Sequence, residues 1–177
     1  EQKSEYIGII VSESERLTTM SQNVLLLTKL EHQSIVSAKT EFYLDEQIRK
    51  SILLLEKEWS EKELELDLDL DEIQYVFNEE MLSHVWINLL SNAVKFTPKG
   101  GKITCSLKQK DGNVIFKIKD NGPGMSEEVK SRIFEKFYQG DASHSHAGNG
   151  IGLNIVQRII YLAGGMITVE SEPQKGS

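Results

Sequence analysis

Four polar side chains recur at helical spacing near the middle of this chain: His84, Asn88, Asn92 and Lys95. They stand at i, i+4, i+8 and i+11, which is one face of a 3.6-residue helix. The rest of that helix is apolar. Val85, Leu89, Ala93 and Phe96 fall on one arc, and Ile87, Leu90 and Val94 on another. A helix apolar on most sides belongs in a protein interior. Amides and an ammonium held there need partners. The stripe therefore faces a polar ligand in a pocket. Two amide oxygens suit a hard cation, and the lysine suits a phosphate.

Three further segments carry chemistry. Asp120 is followed by NGPGM, so a carboxylate able to accept hydrogen bonds stands beside Gly122 and Gly124, which let a flat ligand approach the backbone. The same residues also make an ordinary turn. GNGIGL, residues 148–153, frees backbone N–H groups at the start of a helix, which is an anion site. It is neither a P-loop nor a Rossmann fingerprint, because no Gly-Lys-Ser/Thr follows and no strand precedes it. IFEKFYQG, residues 133–140, sets Phe134, Phe137 and Tyr138 on a short amphipathic turn. Both phenylalanines read as core. The polar stretch 139–149 behind them has the make-up of a lid. Asp141, His144 and His146 in that stretch read as solvated residues rather than a metal site.

The elements that position these residues follow from periodicity. Tyr6, Ile10, Leu17, Met20, Val24 and Leu27 form a heptad-like stripe over residues 1–31, interrupted at Glu13. Such a stripe calls for a bundle partner. Residues 32–40 read as a linker. Asp45 is the expected N-cap of a helix to about residue 60. Leu64, Leu66, Leu68 and Leu70 alternate with acidic residues as a half-buried strand, and 73–77 is another. The polar-striped helix spans 79–96. Strands at 103–108 and 114–119 flank the Asp111-Gly112 hairpin signal. Short helices at 127–134 and 151–163 follow, and 166–170 closes as a strand. The expected class is α+β, a two-layer sandwich with mostly antiparallel strands and helices over one face, preceded by a long bundle-type helix.

Bulk composition narrows the function. The 177 residues allow one well-cored domain, expected at 41–177, plus an appendage at 1–40. With 20 Lys and Arg against 27 Asp and Glu the net charge is −7, and no basic run interleaves with aromatics, so nucleic acid is not an expected partner. Cys105 is the one cysteine, which excludes an internal disulfide and reads as an inert core residue. No apolar run approaches a membrane span of about 20 residues. The chain begins mid-pattern and stops abruptly at Gly176-Ser177, and is expected to be a piece of something longer.

Taken in order, NLLSNAVKFT (88–97), DNGPGM (120–125), IFEKFY (133–138) and GNGIGL (148–153) resemble the N, G1, F and G2 boxes of the ATP-binding catalytic domain of bacterial sensor histidine kinases. That domain belongs to the wider gyrase, Hsp90, histidine-kinase and MutL superfamily. The resemblance covers about residues 42–177 and implies the Bergerat-type ATP-binding fold. Residues 1–31 resemble the second helix of the dimerisation and histidine-phosphotransfer hairpin.

By that resemblance Asn92 ligates Mg²⁺, and Asn88 supports the metal and phosphates. Lys95 contacts phosphate, and with Asn88 forms the catalytic pair. Phe96 packs on adenine and Asp120 accepts its exocyclic amine. Gly122 and Gly124 shape that pocket. Gly148, Gly150 and Gly152 offer amides to the phosphates, and Tyr138 and Leu153 complete the ATP-binding set. The implied reaction moves the γ-phosphoryl of ATP to a histidine, for relay to a response regulator. The parent is expected to be a homodimer anchored in the bacterial inner or plasma membrane, with this domain cytoplasmic. A nucleotide-binding module and an anti-sigma-type serine kinase are the alternatives. This chain departs from the family in three ways, one being that it ends within the last glycine box, so that its final strand is expected to be incomplete. None of His32, His84, His144 or His146 stands in the acceptor context His-Glu/Asp-x-x-x-Pro, so these residues are expected to bind ATP without autophosphorylating in cis. Gln139 stands where the family often has Arg.

Overall fold

Apolar periodicity becomes six helices and five strands among the described residues: 2–32, 36, 38–140 and 150–177 of this computed structural model, with backbone alone at 2–5, 9, 12 and 15. They are α1 (Gln2–His32), β1 (Thr40–Tyr43), α2 (Leu44–Leu54), α3 (Glu56–Glu61), β2 (Glu65–Leu70), β3 (Gln74–Phe77), α4 (Glu79–Phe96), β4 (Lys102–Lys110), β5 (Asn113–Asp120), α5 (Glu127–Arg132) and α6 (Gly152–Leu162).

The main sheet has the order β2-β4-β5, with β2 parallel and β5 antiparallel to β4. β1 and β3 make a separate antiparallel pair. Along β4, Ile103, Cys105 and Leu107 are buried and alternate with half-buried Lys102, Thr104, Ser106 and Lys108, the period of a sheet with one covered face. On the open face Lys102 bridges Glu65 and Asp67, and Lys108 bridges Asp69 and Asp71. These pairs are solvated and contribute little stability. They do mark the parallel register, because a one-residue slip would turn the acids inward. Burial raises the Cys105 thiol to about 12, so it is un-ionised and inert at neutral pH.

Helices α2, α4 and α6 cover the other face. Ile48 and Ile52 of α2, Val85, Leu90 and Val94 of α4, and Ile155, Val156 and Ile159 of α6 meet there in one core with β4. Trp86 packs edge-on to Phe116 with ring centroids 5.0 Å apart. Its indole donates to Gln47 Oε1 at 2.6 Å, and Gln47 Nε2 donates to the Glu79 carbonyl at 2.7 Å. Buried polar atoms thus bolt α2 to α4 without loss. Asn78 caps α4 by accepting from Met81 N at 2.9 Å, and Glu79 and Glu80 complement the helix dipole.

The long helix α1 is divided in its packing. Leu27 and Leu30 are buried against the domain, and Arg158 of α6 donates to the Leu30 carbonyl at 2.9 Å. Toward its start Tyr6, Ile10 and Leu17 are each more than 60% exposed. The stripe therefore packs on its own domain at one end and is open at the other.

Four expectations are corrected. Asp45 is not an N-cap: Tyr43 ends β1 in extended geometry, α2 begins at Leu44, and the Leu44 N–H is met by the Ile73 carbonyl at 2.9 Å. The helix expected to reach residue 60 breaks at Leu55, where the Ile52 carbonyl accepts both Leu55 N and the Trp59 indole at 3.1 Å. Residues 166–170 keep the alternating burial of a strand but join no ladder; the chain beyond them folds on itself through a Glu172–Gly176 bridge. Phe137 is 57% exposed rather than core, because its backbone takes a left-handed turn with φ of 63°. Only Phe134 of the pair is half-buried.

Ile155→Ala, at a side chain with no exposure, is expected to lower unfolding free energy by about 2–5 kcal/mol in denaturant titration. Leu54→Ala, at 71% exposure, should change it by less than about 0.5 kcal/mol.

Candidate functional site

The polar stripe of α4 is half-buried along its whole length. At its centre Asn88 Nδ2 donates to the His84 carbonyl one turn back at 2.7 Å. That bond fixes the amide and turns its oxygen toward the start of α6. There Gly152 leaves room for it, since a Cβ on Gly152 would overlap Asn88 Oδ1. The N-terminus of α6 thus packs directly on the stripe. Among the described residues the Asn92 amide makes no hydrogen bond, and no carboxylate pairs with Lys95. The Lys95 ammonium lies 4.8 Å from the centroid of the Phe96 ring. Burial without a counter-ion pushes its pKa below the ordinary lysine value. Burial likewise lowers His84, against a smaller opposing effect of Glu80.

Asp120 ends β5, where its N–H donates to the Ser177 carbonyl at 2.9 Å. Its Oδ1 accepts from Gly122 N at 2.8 Å, closing a short turn. Gly122 is buried: a Cβ would stand 2.7 Å from that Oδ1 and 2.8 Å from the Phe96 carbonyl. The turn is therefore wedged beneath the last turn of α4, and only glycine fits. Burial raises the Asp120 carboxyl above its usual value, partly offset by backbone hydrogen bonds from Gly122 and Ser177. Gly124, with φ of 65°, packs its α-carbon on the Glu172 carbonyl.

The glycine segment before α6 is held to the aromatic turn. Gly150 has φ of 64°, and a Cβ there would lie 2.6 Å from the Phe137 carbonyl carbon and 2.7 Å from Tyr138 O. Phe137 N donates to the Gly150 carbonyl at 2.9 Å, and Asn154 Nδ2 donates to the Phe134 carbonyl at 2.9 Å. Tyr138 is half-buried with the Arg132 guanidinium 4.2 Å from its ring, and Leu153 is half-buried in the first turn of α6. Gly148, Asp141, His144 and His146 lie outside the described residues, as does most of the expected lid.

The structure thus joins Asn88 to Gly152, Phe96 to Gly122 and Asp120, and Gly150 to Tyr138. One residue that sequence reading passed over touches the same helix: Lys62, whose ammonium donates to three carbonyls at the end of α4. No local pattern marks it, since the contact spans more than 30 residues.

A family described as histidine kinase-, DNA gyrase B-, and HSP90-like ATPase matches residues 77–177. The chain belongs to this ATPase family. Among curated members it is 33% identical over 175 residues to the heme sensor protein HssS of Staphylococcus saprophyticus, covering 99% of this chain and 38% of HssS. It is 31% identical to the signal transduction histidine-protein kinase ArlS of Staphylococcus aureus, covering 98% of this chain and 39% of ArlS. The chain thus spans well under half the length of these relatives. Among solved members, full-length ShkA in complex with AMPPNP superposes with a TM-score of 0.84 at 27% identity, over 99% of this chain and 37% of that one. Histidine kinase ThkA in complex with response regulator protein TrrA gives 0.77 at 27% identity, over 99% and 49%. The fold of this ATPase domain is the α+β sandwich expected from its pattern of elements.

Gly152→Ala is expected to cost about 1–3 kcal/mol in chemical denaturation, because its methyl meets the Asn88 amide. In an Asn88→Ala background most of that cost should disappear. Additive losses would contradict the packing described.

Proposed function

We propose that this chain is the ATP-binding kinase core of a two-component sensor histidine kinase. One observation carries the reading: a half-buried Lys95 with no carboxylate partner among the described residues, one helical turn from an Asn92 amide that makes no hydrogen bond among them, on the stripe that α6 and the Asp120 turn border. An ammonium and an amide so placed on a half-buried stripe match a polyanion with a hard cation. The AMPPNP complex of ShkA supports a nucleotide as that ligand.

Asp120 would accept the adenine exocyclic amine, with Phe96 against the base and Gly122 and Gly124 giving it room. Lys95 would meet phosphate, and the amides of Gly148, Gly150 and Gly152 would meet the others at the start of α6. Tyr138 and Leu153 would border the nucleotide. Among the described residues no three His, Cys, Asp or Glu side chains converge to cage a metal. The donor set instead fits Mg²⁺, which typically takes few protein ligands and completes its shell with phosphates and water. Asn92 would ligate it, with Asn88 in support, and the ion would neutralise charge on the transferring phosphoryl. Asn88 is an amide and cannot take a proton from water, which favours transfer to another acceptor over hydrolysis.

The acceptor would be a histidine outside these residues, since none of the four here has the family context. The ThkA–TrrA complex supports a response regulator as the next carrier. The exposed stripe of Tyr6, Ile10 and Leu17 supports a parent that dimerises through α1. No helix of the described residues is long and apolar enough to cross a membrane. We take the domain as the cytoplasmic part of an anchored parent on the family resemblance.

Titration calorimetry tests the site. MgATP should bind, and Asp120→Asn should weaken it by about 10- to 100-fold. Binding should also fail at both pH extremes, earlier than free side chains would predict. The Asp120 pKa is raised, so protonation removes the acceptor starting above the ordinary aspartate value as pH falls. The Lys95 pKa is lowered, so its charge is lost sooner as pH rises. Asp120→Asn should flatten the acid limb alone. A wild-type chain that ignores MgATP would contradict the reading. Extended by an acceptor helix, the chain should take up γ-phosphate in an acid-labile, base-stable form; acid-stable label would point to a serine kinase.

A further inference from the structure

We propose that Lys62 is a positioning residue for the nucleotide site, acting through Lys95. The inference rests on the nucleotide reading above. The last four carbonyls of an α-helix lack partners within the helix. At the end of α4 a backbone cap does not supply them. Thr97 is buried, its N–H and hydroxyl both return to the Ala93 carbonyl, and Pro98 has no N–H to give. The missing donors come from Lys62, at the end of α3. Its ammonium donates to the carbonyls of Val94 at 2.8 Å, Lys95 at 2.6 Å and Thr97 at 3.0 Å. An ammonium has three N–H bonds, and all three are used. A cation at this end also complements the helix dipole.

The grip is broader than one side chain. The Lys62 carbonyl accepts from Gly100 N at 2.8 Å, Glu65 N donates to the Gly101 carbonyl at 2.8 Å, and Glu63 pairs with Lys99 at 2.7 Å. The corner between α3 and β2 thus holds α4 and the turn after it from outside the site. What it holds is the peptide of Lys95, gripped at its own carbonyl, and that of Phe96, whose carbonyl packs on Gly122. Without the ammonium three carbonyls at the end of α4 lose their donor, and the final turn is free to fray. The Lys95 side chain would then no longer be aimed by its backbone.

The test is a double-mutant cycle read by MgATP affinity. Lys62→Met should weaken binding about tenfold while the chain still unfolds cooperatively. In a Lys95→Met background the same change should cost less than about twofold, because the group being positioned is gone. Lys62→Arg, which keeps charge and several donors, should recover most of the affinity. If Lys62→Met does not fold, Lys62→Gln replaces it in the same cycle and should show the same coupling at smaller amplitude. Unchanged affinity in the Lys62 variants, or equal losses in both backgrounds, would overturn this inference alone. Failure of the unaltered chain to bind MgATP would overturn the nucleotide reading and this inference with it.

Discussion

Helix α4 has to be buried on most of its circumference, and nearly everything else in the domain serves that requirement. Met81, Leu82, Val85, Trp86, Leu90, Ala93 and Val94 all lie in the core. Together they need cover on more than one side, which the sheet, α2 and α6 supply. Once that cover is in place only one direction remains for His84, Asn88, Asn92 and Lys95. The stripe opens beside the start of α6, where Gly152 leaves space for an amide, and toward the Asp120 turn that Gly122 wedges under Phe96. Gly122 and Gly152 are thus packing requirements of α4 as much as features of a binding loop.

The electrostatics of the groove follow from the same burial. Lys95 is partly desolvated with no anion beside it among the described residues, and its pKa falls. Asp120 is partly desolvated at the end of β5, and its pKa rises. Each charge is held at a cost that a ligand of the right polarity would recover. A phosphate beside the ammonium and an amine beside the carboxylate would do so together. An adenine nucleotide carries both. Asn88 and Asn92 add no charge of their own, so among the described residues Lys95 is the one formal charge of the stripe apart from the titratable His84.

The sequence made the regular elements legible because their periods are clean. The alternating leucines of β2, the 3.6 period of α4 and the hairpin around Asp111-Gly112 all fold as read. Two of the misses share a cause: the deciding contact was not local. β1 is only four residues long and exists through its pairing with β3. Asp45 has the residue type of a cap, but the helix start is fixed by a bond to Ile73 across the fold. The break at Leu55 carries no glycine or proline, and its sign is an indole four residues on that reaches back to the Ile52 carbonyl. Phe137 looked apolar enough for the core, yet its left-handed backbone turns it out. The candidate site rests on four ordered motifs whose side-chain types suit one ligand. Lys62 was not legible, because a single lysine reaching an opposing helix end leaves no pattern in the chain.

The central claim is that the α4 stripe, the Asp120 turn and the start of α6 form one ligand surface. Backbone amide chemical shifts followed during titration with MgATP test it residue by residue. The account predicts saturable shifts concentrated in residues 88–97, 120–124 and 150–154, all fitting one dissociation constant. Saturable shifts centred elsewhere, for instance on the open groove beside Lys50, Ser51 and Asn78, or none at all, would contradict it.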